Sequence, residues 1–148
     1  MTDDAAVASR SYPHASSIFA DPERLRDDFE RFGNVWSLVA ESDGRIVGHV
    51  AFLHAHTHDE PRAPIPGLAH VWRVFVAPEH WGTGLARELL RRAHAGMRER
   101  GYTRARLYTP KSQLRARAFY EREGWRPTGE QDYSDWLQLE LVEYRLDL

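Results

Sequence analysis

The chain has 148 residues, 42% of them hydrophobic and 28% charged, which is enough for one domain with a core of ordinary size. Its 20 basic and 22 acidic residues leave a net charge of −2, which argues against a domain that wraps nucleic acid. Cysteine is absent, so disulfides, thiolate metal sites and a cysteine nucleophile are excluded.

No apolar run approaches the roughly 20 residues of a membrane span, and the acidic start lacks the features of a signal peptide. We therefore expect a cytoplasmic protein without a membrane partner, with residues 1–148 forming one domain. Residues 1–20 show no clear period and are left unassigned. Asp21 and Pro22 predict the start of a helix that Gly33 ends.

A β-hairpin is predicted next. Residues 35–40 and 45–56 are rich in apolar and β-branched side chains, and the segment between them ends in Asp-Gly. Residues 59–67 hold three prolines and predict a loop, after which residues 69–78 predict a strand rich in valine and aromatics.

Helical spacing then marks the segment from Gly84 to Arg100, with an apolar stripe on one side and charged residues on the other. The apolar stripe consists of Ala86, Leu90, Ala93 and Met97. Residues 103–110 predict a short strand, and Ser112 is the predicted N-cap of a second helix ending near Gly124.

The C-terminal residues 136–148 alternate between apolar and polar side chains, as a strand does. The phase of this alternation slips at Val142, which predicts a bulge or bend there. The order of helix, hairpin, strand, helix, strand, helix and strand predicts a mixed α/β sheet with helices on its faces.

An anion site is predicted where the strand meets the helix within residues 74–90. Gly82 and Gly84 let the backbone approach a ligand, and the first N–H groups of the helix lack partners, which suits phosphates. A Walker A loop is excluded because Leu-Ala follows Gly84 and no lysine is near. A dinucleotide fingerprint fails because Arg87 takes the third glycine position.

These features resemble the GCN5-related N-acetyltransferase (GNAT) family, in which a Gln/Arg-x-x-Gly-x-Gly/Ala loop holds the pyrophosphate of acetyl-CoA. Gly84 and Ala86 match the glycine positions, whereas Trp81 departs from Gln/Arg. Residues 113–125 are similar to the family's second motif, Asn-x-x-Ala-x-x-Leu/Phe-Tyr-x-x-x-Gly-Phe. The resemblance covers residues 35–129 and does not include the family's first strand.

The resemblance implies an α/β fold of α+β type, with a GNAT-like mixed, mostly antiparallel central sheet and helices on both faces. It also implies acetyl-CoA as cosubstrate, its pantetheine arm pairing with the strand before the loop. The implied acetyl-CoA-binding residues are Val74, Phe75, Val76, Trp81, Gly82, Thr83, Gly84, Leu85, Ala86, Arg87, Gln113 and Phe119.

The resemblance also implies two catalytic residues. Tyr120 would protonate the departing thiolate, the alternative being a core tyrosine. His70 takes the position of the family's frequent carboxylate base, four residues before Val74, and both a base and a histidine that only packs remain open. Since the chain has no cysteine, we expect direct transfer in a ternary complex.

A histidine run follows the predicted hairpin. His54, His56 and His58 would share one face of an extended strand, where Asp59 or Glu60 could complete a metal site. We favour the alternative of a solvated strand end beside the acceptor cleft and expect no metal.

The expected acceptor is a primary amine of a small molecule or an exposed amino group. Acidic and aromatic residues between the last strands would suit a cationic amine, or form an ordinary polar loop. These residues are Asp132, Tyr133, Asp135 and Trp136. The alternatives are a non-catalytic acyl-CoA-binding domain on the same fold and an enzyme that acetylates aminoacyl-tRNA; monomer and homodimer both remain open.

Overall fold

The computed structural model describes residues 35–148, so the helix predicted from Asp21 and the unassigned residues 1–20 lie outside the described residues. The strands are β1 (Trp36–Ser42), β2 (Arg45–His56), β3 (Pro64–Val76), β4 (Arg104–Pro110), β5 (Arg126–Ser134) and β6 (Leu139–Asp147). The α-helices of this part are α1 (Leu85–Glu99) and α2 (Leu114–Arg122). Neither helix has the length and apolar character needed to cross a membrane.

A tight turn joins β1 and β2, which pair antiparallel. Asp43 and Gly44 both have positive φ, 52° and 74°. Positive φ at both central residues is typical of a type I′ turn, for which Asp-Gly is favoured. The predicted hairpin is therefore confirmed.

β3 begins earlier than predicted. The prolines predicted a loop through residue 67, but Pro64 and Pro66 lie within the first residues of the strand. Because β4 pairs with β3 only from Leu68 onward, one side of β3 has no partner strand here, and proline is tolerated at such a position.

β3 also carries a β-bulge that the apolar pattern did not predict. Ala51 of β2 pairs with Arg73, but the next residue, Phe52, pairs with Val71, so Trp72 is one residue extra. A bulge bends the strand and redirects its side chains. Trp72 therefore lies where β3 changes direction.

The two helices contribute to one core on the same face of the sheet. In α1 the predicted apolar stripe is confirmed, since Leu90, Ala93 and Met97 are fully buried. The predicted cap of α2 is wrong: the N-cap is Gln113 rather than Ser112, and no side chain caps the helix. The Gln113 N–H instead donates to the carbonyl of Pro110 at 3.0 Å, which closes a turn after β4.

The last two strands form a hairpin whose turn spans residues 135–138, so the strand predicted from residue 136 starts at Leu139 instead. The irregularity predicted at Val142 lies in the strand that pairs with this part of β6, not in β6 itself. β6 pairs with β4 without interruption, and the irregularity lies in β5, between Pro127 and Gln131.

The six strands form one sheet in the order β1-β2-β3-β4-β6-β5. Only β3 and β4 are parallel, and the other neighbours are antiparallel. This confirms the predicted mixed, mostly antiparallel sheet. Both helices of the described part lie on one face of the sheet. The helix predicted before Gly33 is not among the described residues.

Candidate active site

The loop between β3 and α1 presents the N-terminus of a helix. Gly84 is the N-cap of α1 with a φ of 86°, and Gly82 has a φ of 78°. No side chain caps α1, so the N–H groups at Leu85, Ala86 and Arg87 point away from the helix without intrahelical partners. Together with the helix dipole, these donors favour an anion. This geometry supports the predicted phosphate-binding loop.

Side chains hold this loop in place. The Trp81 indole N–H donates to the carbonyl of Val76 at 2.8 Å, and the Thr83 hydroxyl donates to the carbonyl of His80. The guanidinium of Arg115, from α2, lies 4.8 Å from the centre of the Trp81 ring. Trp81 therefore fastens the loop to β3 and brings an α2 arginine to it, contacts that the motif did not predict.

The parallel strands β3 and β4 separate beside this loop. Their pairing runs from Leu68 with Arg104 to Val71 with Leu107. Beyond these pairs β3 follows β2 and β4 follows β6. We call the gap between residues 72–76 and 108–110 the fork.

The fork positions the predicted pantetheine-binding residues. Val74, Phe75 and Val76 form its β3 side, while their opposite neighbours are in β2. Phe75 is buried and packs under the start of α1, in a small cluster that includes Leu85. The predicted phosphate loop and the predicted pantetheine strand are thus consecutive in space.

α2 places the predicted acid on the core side of the helix. Tyr120 is only 7% exposed, and its ring lies 6.3 Å from Trp125 and 6.2 Å from Tyr144. Phe119 is half-buried with its ring 5.4 Å from that of Tyr120, and Gln113 stands at the start of the same helix. The catalytic role of Tyr120 stays a prediction.

A cavity of about 160 Å³ opens on the sheet face opposite the two helices. Its polar lining includes four histidines and two arginines, with no Asp or Glu among the described lining residues. These residues are His54, His56, His58, His70, Arg62 and Arg106. Trp72 and Tyr108, which border the fork, also line this cavity, which we call the basic pocket.

His70 lies in the basic pocket, but its environment does not favour a base. Its Nδ1 accepts a hydrogen bond from the Nε–H of Arg106 at 3.3 Å. Burial, reinforced by the charge of Arg106, lowers the pKa of His70 from 6.5 to about 3. A neutral ring with Nδ1 occupied carries its proton on Nε2 and is a donor there. These features favour the packing alternative that the sequence left open.

A second histidine is better oriented for proton transfer. His58 Nε2 lies 2.7 Å from the hydroxyl of Tyr108, which donates to the Glu143 carboxylate at 3.2 Å. Since the Tyr108 proton is directed to Glu143, the hydroxyl accepts from Nε2–H, and the Nδ1 lone pair of His58 stays available.

Glu143, the last residue in the hydrogen-bonded series His58–Tyr108–Glu143, is held in its charged form by its neighbours. Burial raises the pKa of Glu143, but hydrogen bonds from Arg145 and Thr128 outweigh it, so the pKa is lowered overall. Burial also raises the pKa of Tyr108 to about 12. Sequence inspection missed Tyr108 and Glu143, although the alternation of polar side chains in β4 was a usable signal.

The remaining histidines of the run are engaged in hydrogen bonds. His54 Nε2 donates to the carbonyl of Ile65, and its Nδ1 accepts from the Tyr102 hydroxyl. His56 Nδ1 donates to the carbonyl of His54. Within residues 35–148, no group of three His, Asp or Glu side chains is arranged to hold a metal ion.

The acidic and aromatic residues predicted to contact a cationic amine lie on the far edge of the sheet. Asp132 and Tyr133 belong to β5, the outermost strand, while Asp135 and Trp136 belong to the turn after it. None of the four lines the basic pocket. This placement favours the ordinary polar loop that was the alternative.

Known acetyltransferases are similar to this chain in sequence and in fold. Human N-acetyltransferase 8 is 34% identical over 110 residues, which are 74% of this chain and 46% of that protein. The ribosomal-protein-alanine N-acetyltransferase from Brucella melitensis has a TM-score of 0.74 at 20% identity, over 100% of this chain and 96% of that chain. The Bacillus subtilis acetyltransferase in complex with CoA has a TM-score of 0.63 at 16% identity, over 85% and 84%.

The chain spans about half the length of human N-acetyltransferase 8. The two solved structures share its fold. The profile of the Acetyltransferase (GNAT) family matches residues 6–125, from the N-terminal segment through the end of the second motif. With most of its length matched in this way, the chain belongs to the GNAT acetyltransferase family.

Proposed function

We propose that this chain transfers the acetyl group of acetyl-CoA to a primary amine by direct attack in a ternary complex. The observation that carries this proposal is the continuity of the uncapped α1 N-terminus with the fork. The first suits the pyrophosphate and the second the pantetheine arm. The CoA held by the Bacillus subtilis relative supports acetyl-CoA as the cosubstrate.

In the proposed reaction the amine nitrogen attacks the thioester carbonyl carbon, a C–N bond forms and the C–S bond breaks. The Tyr120 hydroxyl gives its proton to the departing thiolate. The proton of the attacking amine passes to a histidine of the basic pocket. We assign this step to Nδ1 of His58, because Nδ1 of His70 already accepts from Arg106.

The acceptor enters through the basic pocket in this proposal. The pocket borders the fork at Trp72 and Tyr108, so a small amine placed there reaches the thioester from the face opposite the helices. The free N-terminus of a protein or the amine of a small molecule would both be acceptors of this kind.

The test is a calorimetric titration with acetyl-CoA, with free CoA as comparator. We expect saturable binding with one molecule per chain. Gly84→Glu should weaken it at least tenfold, because the carboxylate stands against the pyrophosphate. Gly101→Glu is a matched control: Gly101 has the same φ of 86° and no atom within 4 Å of its Cβ position, but it follows the other end of α1.

Equal acetyl-CoA affinity in the two glycine variants and the parent chain would contradict the loop assignment. Thiol release with a panel of amines then separates catalysis from binding alone. Tight acetyl-CoA binding without thiol release for any amine would favour the non-catalytic acyl-CoA-binding domain.

A further inference from the structure

The lining of the basic pocket includes a buried cation. Arg106 is only 4% exposed. Its Nε–H donates to His70 Nδ1 and its Nη2 donates to the carbonyl of His56, both at 3.3 Å. A guanidinium has five N–H donors, so three of them, two on Nη1, form no hydrogen bond within residues 35–148.

No carboxylate of residues 35–148 forms an ion pair with Arg106. Glu143, on the neighbouring strand β6, is itself paired with Arg145 at 3.2 Å. Burial lowers the pKa of Arg106, yet an arginine side chain keeps its charge in proteins. A buried charge that forms no ion pair with a carboxylate of the described residues is costly, and a ligand anion would offset that cost.

We infer that the acceptor is an amino acid, whose carboxylate binds Arg106 while its amine faces the fork. This inference rests on the proposed acetyl transfer and names the acceptor class. Arginine suits a carboxylate because its N–H groups match the two carboxylate oxygens. The lining also contains a second arginine, Arg62.

The spacing along β4 fits such an acceptor. Arg106 and Tyr108 lie two residues apart on the pocket face of the strand, which separates them by about 7 Å. A carboxylate held at Arg106 places an amine one or two carbons away near Tyr108. At that position the amine lies beside His58, which is hydrogen-bonded to Tyr108, and at the edge of the fork.

The first test measures binding to the full chain saturated with CoA. The probes are the acetylated products of small, aliphatic and aromatic amino acids, each paired with its C-terminal amide: N-acetylglycine, N-acetylleucine and N-acetylphenylalanine. We expect at least one acid to bind 10- to 100-fold more tightly than its amide, since a charge-assisted hydrogen bond is lost in the amide.

The second test assigns this preference to a residue. Arg106→Gln should bring the ratio of acid affinity to amide affinity close to one by weakening binding of the acid alone. Arg106→Lys should restore part of this ratio. Arg104→Gln is the matched control on the same strand, because Arg104 is exposed and donates to the carbonyl of Pro66 outside the pocket. Acetyl-CoA affinity is measured on each variant to confirm that it is folded.

Equal binding of acids and amides by the parent chain, or binding of neither, would overturn the inference even if Arg106→Gln failed to fold. A preference unchanged by Arg106→Gln would overturn it as well. If the chain then acetylated amines that lack a carboxylate, such as protein N-termini or aminoacyl-tRNA, the proposed acetyl transfer would stand and only the amino-acid acceptor would be rejected. Loss of acetyl-CoA binding by the parent chain would instead overturn the proposed function.

Discussion

Two histidines of the basic pocket differ because of the atoms that each contacts. His70 has its Nδ1 occupied by Arg106, and burial lowers its pKa to about 3. His58 is exposed, donates through Nε2 and keeps Nδ1 available. A base must be neutral and must have a free lone pair in reach of the acceptor. For these two residues, the orientation of the ring distinguishes the proposed proton acceptor, His58, from His70.

The pH dependence of turnover tests this assignment. Activity should fall as the pH drops, because protonation removes the base. His58→Gln should lower kcat/KM about 100-fold and remove this acidic limb. His70→Gln should keep the limb, since His70 titrates near pH 3, below the range of the measurement. The check is kcat/KM from pH 5 to 9 for all three chains.

A limb that persists in His58→Gln and vanishes in His70→Gln would return the base role to His70. A limb that persists in both variants would assign it to a group outside this pair.

At the scale of the element, α2 is held against β6 by polar contacts at a buried tyrosine. Tyr144 has no exposed surface; its hydroxyl accepts from Arg117 and donates to Glu121, both on α2. Its ring neighbours that of Tyr120, whose hydroxyl is the proposed acid. α2 thus carries both the proposed acid and two side chains that hold the helix against β6.

Removing each hydroxyl should separate these two roles. Tyr120→Phe should lower turnover by at least tenfold while acetyl-CoA affinity stays the same, because only the proton donor is lost. Tyr144→Phe should lower the free energy of unfolding by about 1 kcal/mol and leave turnover unchanged. Thiol-release kinetics and denaturant unfolding of both variants provide the comparison. Full activity in Tyr120→Phe would remove the acid assignment.

At the scale of the whole molecule, the fold buries histidines in neutral form. His49 is 1% exposed, and burial together with the charge of Arg73 lowers its pKa to about 3. His94 is 7% exposed, and burial together with the charges of Arg98 and Arg91 lowers its pKa to about 4. Above pH 6.5 these histidines are neutral in both states. Below it the unfolded chain gains protons that the folded chain does not, so stability falls.

Acid should therefore destabilise the molecule well before the carboxylates titrate. Between pH 6.5 and 5 the free energy of unfolding should fall by about 2 kcal/mol for each of the two histidines. His94→Leu should remove its share of this slope, since His94 Nε2 has no hydrogen-bond partner in the described part of the chain. Urea unfolding of the parent chain and of His94→Leu at pH 8, 6.5 and 5 measures this pH dependence. The difference in free energy of unfolding between the two at pH 8 gives the packing cost of the substitution. Parallel pH profiles for the two chains would contradict the prediction.

Much of the fold could be predicted from local pattern. Asp43-Gly44 favours one turn type, and helical spacing over α1 matches the face that the core buries. The predicted phosphate loop could also be located from the sequence, because its glycine N-cap and the helix that follows are neighbours in sequence. The errors fell where a neighbouring strand decided the outcome. Pro64 is tolerated because β4 starts opposite a later residue, and the bulge at Trp72 depends on the register with β2.

The candidate site divides in the same way. The family motifs could be identified from the sequence alone, because Gly84, Ala86 and Tyr120 are recognised by their positions at the start of α1 and within α2. Only the tertiary structure decided which groups meet in the basic pocket. His58, His70 and Arg106 come from separate segments of the chain, and the pairing of β2, β3 and β4 brings them together. Charge, burial and tautomer depend on these neighbours, which no local pattern specifies.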